Sequence, residues 1–420
     1  MNISNETVKA KLVDGFRNLF GKEPSGFAEA PGRVELLGNH TDHQRGKVLA
    51  ASVDLKAYAA FAPNGTDNVN IVSEGHSGAR VNIKELMPDV SEFNSETSIV
   101  RGVLRGFYNL AKESNAKKTP LSSFDVSDAK ESPLSGFDAY VISEVLTGSG
   151  LSSSAAYEVL LGRILNELFF DNKVSAVQIA KIGQFAENKF FGKPCGLMDQ
   201  AASSVGDVVF FDFEDPKEPS VTQILFDFQK AGYALCAVAC GGGHADLTGD
   251  YASIPQDMCA VAKLFGKEVL REVEEPELKA RKEEIISAIG ERPYLRAVHF
   301  FEETRRAEEA AIALQNKDMP AFLALANQSG ISSRTQLANI IPASNPSENK
   351  LDLAMRIAVE ALGGKKLDGT AGPGMNGAVR MNGGGFSGTF LSIVPLEMLE
   401  GFKTTIEDKL GKGSCILLNT

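Results

Sequence analysis

Four short stretches of this 420-residue chain gather residues whose types and spacing could do chemistry. The first is Gly148-Ser149-Gly150-Leu151-Ser152-Ser153-Ser154-Ala155-Ala156, which follows an apolar, strand-like run and opens a segment of helical periodicity. A helix N-terminus offers unpaired backbone N–H groups and the positive end of the dipole, a setting that attracts phosphate. Two glycines let the backbone approach a ligand, and three serines add hydroxyl donors and a hard oxygen for Mg2+. A serine-capped helix behind a tight turn is the plain alternative; three serines behind Gly-Ser-Gly favour phosphate. No GxxxxGK[ST] occurs, so this is not a Walker A loop.

The second stretch, Pro31 to Asp42, collects Arg33, His40 and Asp42 among small turn residues and reads as a loop able to hydrogen-bond a polyhydroxylated ligand. A solvated Arg beside a capping Asp would look the same. In the third, Phe191 to Gln200, Asp199 is flanked by apolar residues shortly after Glu187, so it is either a partly desolvated acid near a ligand or a helix cap. The fourth, Arg380 to Gly388, puts three consecutive glycines inside a strand-forming region, which weakens a sheet unless a ligand or another backbone must come close. A GxGxxG also occurs at Gly372 to Gly377. It follows a helical segment and opens no helix, so it is not a dinucleotide fingerprint.

The elements that must position these residues are partly legible. Residues 48–61 and 137–146 read as strands, and 208–213 as a short one. Residues 153–170 carry apolar side chains at helical spacing, and a second helix starts at a Ser175/Gln178 capping box and runs to about 191. Residues 267–289 and 295–315 read as long charged helices with solvated faces, and 378–395 as a strand region broken by glycines. Residues 112–135 and 214–220 read as loops, the latter a boundary between domains 1–215 and 216–420 of an α/β or α+β protein.

Lys and Arg number 43 against 54 Asp and Glu, a net charge of −11. That balance argues against a nucleic-acid partner, which would need clustered cations, and leaves a phosphate-handling enzyme open. No run is apolar and long enough to span a bilayer, and the N-terminus does not read as a signal peptide, so a cytoplasmic protein without a membrane partner is expected. Five scattered cysteines form no disulfide framework, and five histidines show no zinc spacing.

In this order the four stretches resemble the GHMP small-molecule kinases, and within them the galactokinase branch. Pro31 to His43 is similar to that branch's PGRVNLIGEHTDY-like segment, Gly150 to Ala155 to GLSSSA, Gly196 to Gln200 to GIMDQ, and Arg380 to Gly388 to RMTGGGFGG. The resemblance spans almost the whole chain. It implies two lobes, an N-terminal α/β domain and a C-terminal ferredoxin-like domain with the active site between them, and ATP-dependent phosphorylation of an anomeric hydroxyl. It implies Asp199 as the catalytic acid or base and Arg33 as its cationic partner. Phosphates would lie on Gly148, Ser149, Gly150, Leu151, Ser152, Ser153 and Ser154, Mg2+ on Ser154 and Glu187, and sugar on Asn39, His40, Asp42, Gly196 and Tyr251.

Three departures bear on the sugar. Asn39 stands where the family has Glu, and His43 where it has Tyr, so galacturonate and N-acetylgalactosamine join galactose as candidate substrates. The segment Ala239 to Tyr251 keeps Tyr251 but lacks the family's basic residues. The chain has no Trp for an adenine contact. A non-catalytic sugar sensor ranks below the enzyme, because the serine loop, Arg33 and Asp199 are all intact.

Overall fold

The computed structural model describes residues 6–115, 133–145, 148, 150–193, 195–241, 247–369, 372–386 and 388–420. Its chain forms two compact units: Met1–Gly32, Leu55–Thr147 and Ser152–Gly206 make the first, and Arg33–Asp54, Gly148–Leu151 and Asp207–Thr420 the second. The units interleave in sequence, whereas the expectation was a contiguous division at 215/216. The expected loop at 112–135 lies largely outside the described residues. Among those residues, no helix is long and apolar enough to cross a membrane.

In the first unit, Val8, Leu12 and Phe16 repeat every fourth residue along the helix Glu6–Phe20, so they share one face. That face is buried against Tyr58, Ala60 and Ala62. These residues lie in the part of the strand Lys47–Pro63 that pairs antiparallel with Phe137–Ser143. Phe137–Ser143 runs parallel to Asn68–Ser73, which pairs antiparallel with Ala79–Asn82. Helices Glu96–Asn115, Ser153–Phe169, Ala176–Ala186 and Met198–Val205 pack on one another. The capping box at Ser175 and Gln178 forms as its spacing predicts. The helix it starts ends at Ala186, and a π-turn, Glu187–Phe191, continues the chain.

In the second unit, Lys47–Ala51 pairs with Val208–Asp212, and that strand with Ser220–Ile224, all antiparallel. A separate antiparallel sheet is ordered Cys415–Leu418, Tyr233–Ala239, Thr389–Pro395, Ala378–Met381. Its buried face carries Cys236, Val238, Phe390 and Val394 against Ala354, Met355 and Phe402 of the covering helices. A helical layer built on Thr248–Leu264 and Glu291–Gln315 has its own core of Ile254, Met258, Ala297 and Phe300.

Two expectations are corrected. The long helix over 267–289 is three pieces, Leu270–Glu272, Glu275–Ala280 and Lys282–Ile289. Pro276, lacking an N–H, is suited to the first turn of a helix and starts a new one. Pro31 to Leu37, expected in a loop, is the end of the strand Gly26–Leu37, and the turn begins only at Gly38.

Candidate active site

In the first unit the serine loop opens the helix Ser153–Phe169, with Ser152 at its N-cap in the left-handed region (φ 58°). Ser152 makes no side-chain cap; its Oγ donates instead to Asp199 Oδ2 at 2.5 Å. Asp199 lies in the first turn of the short helix Met198–Val205. Gly196 precedes that helix and is half-buried. Ser154 Oγ donates to Glu187 Oε1 at 3.4 Å, and Lys193 Nζ lies 3.2 Å from the same oxygen.

Gln200, one residue past Asp199, joins two buried carboxylates. Its Nε2 donates to Glu158 Oε2 and to Glu187 Oε2, each at 2.9 Å. Glu158 is four residues beyond Ser154, hence on the same helix face. Burial, reinforced by the charge of Glu187, holds the Glu158 carboxyl well above the usual range. Burial depresses the Lys193 ammonium, but Glu187 and Asp199 together outweigh it and raise its pKa. Glu158 Oε1 and Gln200 Oε1 are buried without a hydrogen-bond partner.

These residues fit a small, hard cation. Ser154 and Glu187 supply oxygen donors, and the unpartnered Oε1 of Gln200 leaves acceptor capacity on the amide that holds Glu187. Among the described residues no group of three or more His, Cys, Asp or Glu could hold a metal, so Mg2+ would need water and phosphate oxygens to complete its shell.

In the second unit, Arg33 is 4% exposed, and its Nη1 donates to the carbonyl of Gly150 at 2.8 Å. The Arg33 N–H donates to Leu151 O at 3.0 Å, and Asn382 Nδ2 also donates to Gly150 O, at 2.9 Å. Gly150 of the serine loop is therefore held from both the second and fourth stretches. Leu151 is fully buried, and Gly148 and Gly150 take positive φ. Ser149 lies outside the described residues. In the glycine run, Gly385 has φ +86°, and a Cβ there would stand 2.2 Å from the carbonyl oxygen of Asn339, so close backbone approach explains that glycine.

Asn39 is one of the residues expected to contact the sugar. It is fully buried with its polar atoms engaged. Nδ2 donates to Glu35 Oε2 at 3.2 Å and to Gly383 O at 2.7 Å; Oδ1 accepts from Asn339 Nδ2 at 2.9 Å. Glu35 is the residue that sequence reasoning passed over. Its other oxygen pairs with the fully buried Arg380 at 2.6 Å. Burial raises the Glu35 carboxyl, and Arg380 opposes the rise. The available signal was reciprocity: the family segment has Asn where this chain has Glu35, and Glu where it has Asn39. One carboxylate and one amide, four residues apart and touching here, have exchanged places.

The other expected sugar residues are partly committed to the protein. The His40 ring meets Gly384 O through Nε2 at 3.0 Å. Asp42 Oδ1 accepts from the His43 N–H at 2.8 Å, and Tyr251 Oη donates to Gly385 O at 2.8 Å. Asp42 and Tyr251 stay half-buried at the protein surface.

Comparison with known proteins places the chain by class first. A family model for the GHMP kinase N-terminal domain matches residues 116–207, which defines a GHMP-type kinase. The galactokinase galactose-binding signature matches residues 14–63. A galactokinase of Actinobacillus pleuropneumoniae serotype 3 is 30% identical over 94% of this chain and 92% of its own length. One from Streptomyces coelicolor is 29% identical over 96% and 93%. The crystal structure of Lactococcus lactis galactokinase complexed with galactose shares the fold, with a TM-score of 0.76, 20% identity and 98% of each chain covered. The chain belongs to the galactokinase family.

Proposed function

We propose that this protein transfers the γ-phosphoryl group of MgATP to the C1 hydroxyl of galactose, giving galactose 1-phosphate and ADP. The observation that carries the reading lies in the first unit. A serine-lined helix N-terminus, suited to phosphate, donates a hydroxyl to a carboxylate, Asp199, and a second hydroxyl to another, Glu187. In the step, the sugar C1 oxygen bonds to the γ-phosphorus as the bond to the β,γ-bridging oxygen breaks, and the hydroxyl proton passes to Asp199. Ser152 would fix the carboxylate's orientation. Arg33 would supply positive charge for the transferring group. Mg2+, held with ATP by Ser154 and Glu187, would neutralise phosphate charge. His40, Asp42, Gly196 and Tyr251 would bind the sugar. The five cysteines are free thiols, which suits a cytoplasmic setting.

ADP release should be measured from MgATP with galactose, galacturonate, N-acetylgalactosamine and glucose offered separately. Strong turnover on galactose is expected. Asp199→Asn should lower kcat by about 100-fold or more, the usual share of a positioned base, with KM for the sugar within a few-fold. Turnover on another sugar only would move the substrate and keep the chemistry; near-normal turnover by the variant would remove Asp199 from it.

A further inference from the structure

His43 sits between Asp42 and Gln44 in the 3-10 turn that follows the strand Gly26–Leu37, where the family segment has Tyr. Its protonation can be read from its neighbours. The Leu270 N–H donates to Gln44 Oε1 at 3.0 Å, which fixes which end of that amide carries nitrogen. The amide nitrogen, 3.4 Å from His43 Nδ1, has only hydrogens to offer, so Nδ1 is the accepting nitrogen of the ring. Burial, reinforced by His40 and His299, pulls the ring's pKa down to about 3, so it is neutral near pH 7. A neutral imidazole accepting at Nδ1 carries its proton at Nε2.

That Nε2–H is closed off from solvent and has no acceptor among the described residues. A buried donor without a partner is uncommon in a folded protein and calls for an explanation. The His43 ring stands edge-on to His40, with centroids 5.6 Å apart, and its backbone N–H holds Asp42. Both neighbours are half-buried at the surface of the turn. The contact at Nδ1 is long, 3.4 Å, so it holds the ring only weakly in its present orientation.

We propose that His43 is a specificity-determining residue whose Nε2–H donates to one neutral oxygen of the bound sugar, a hydroxyl or an acetamido carbonyl. This rests on the sugar-binding reading above. A neutral ring brings no positive charge to balance a carboxylate, and Glu35 and Asp42 already lie in the same segment, so a uronate fits this donor less well.

The test is a cycle between protein and ligand. Galactose, N-acetylgalactosamine and the 2-, 3-, 4- and 6-deoxygalactoses are titrated by calorimetry into the wild type, His43→Phe and His43→Gln, alongside thermal unfolding of each protein. His43→Phe is expected to bind its sugar about tenfold more weakly, the worth of one hydrogen bond, and to unfold no earlier than the wild type because an unpartnered donor is gone. The loss should vanish for the one analogue that lacks the partner oxygen, and His43→Gln, which keeps an N–H, should recover part of it. Unchanged affinity in His43→Phe, or an equal loss on every analogue, overturns the proposal. Wild-type binding without turnover would sink the kinase reading and leave this cycle decisive; no sugar binding by the wild type overturns both.

Discussion

At the scale of single residues, Asn39 and Glu35 show how far identity and role can part. Asn39 donates both amide hydrogens to oxygens, one of them on the Glu35 carboxylate. Asn39→Glu would therefore set two buried carboxylates together and leave Gly383 O without its donor. It should destabilise the protein by about 3 kcal/mol, the scale of an uncompensated buried charge, and would not improve galactose use by itself. The double variant Glu35→Asn/Asn39→Glu restores one carboxylate and one amide and should recover at least half of that loss. Urea unfolding of the two single variants and the double closes the cycle; simple additivity would show that the pair does not act as a unit.

At the scale of elements, the chemistry-bearing stretches are each held by one unusual local feature. The serine loop turns through left-handed Ser152 so that a hydroxyl free of capping duty reaches Asp199. The carboxylate of Glu187 is set at the change from α-helix to π-turn, a device frequent at functional sites. The glycine run brings backbone within reach of Asn339 and Tyr251. Gly385→Ala must seat a methyl group 2.2 Å from a carbonyl oxygen at positive φ, and should cost about 2 kcal/mol or more by thermal unfolding. Gly21→Ala, at φ +65° with open space around its Cβ position, should cost about 1 kcal/mol. Equal losses would mean that the steric argument at Gly385 is wrong. Periodicity made the helices visible, but not the break at Pro276, because charged residues on both sides continue the pattern across it.

At the scale of the whole molecule, buried titratable groups set how stability responds to acid. His40 is held down to about 4 and His43 to about 3, in both cases first by burial, and His299 is lowered too. The unfolded chain takes up these protons near pH 6.5, before the native state does, so their contribution is full above 6.5 and is lost as pH falls toward 3 or 4. In Glu303, burial is outweighed by Arg306, His299 and Arg380, and its pKa falls to about 2; its contribution is lost between about pH 4.5 and 2. Glu158 and Glu35, raised by burial, act in the opposite direction. A bare stability curve mixes these signs, and a difference separates them. His43→Phe should gain on the wild type below pH 6.5, by at most about 1.4 kcal/mol per pH unit, with a constant difference above pH 7. Denaturant unfolding at pH 7.5, 6 and 5 measures it, and a difference flat across all three would mean that His43 titrates normally.

The sequence by itself determined the family, the order of the four chemical stretches and the amphipathic helices, because these depend on residue type and short-range spacing. It also carried the Glu35–Asn39 exchange in plain letters. Tertiary structure alone decided that Asn39 turns inward, that Ser152 binds Asp199 instead of capping its helix, and that Glu158 and Gln200 stand behind Glu187. Each of these joins side chains through packing of separate elements, up to 300 positions apart for Asn39 and Asn339. Burial and partner choice, not local propensity, settle where such side chains point.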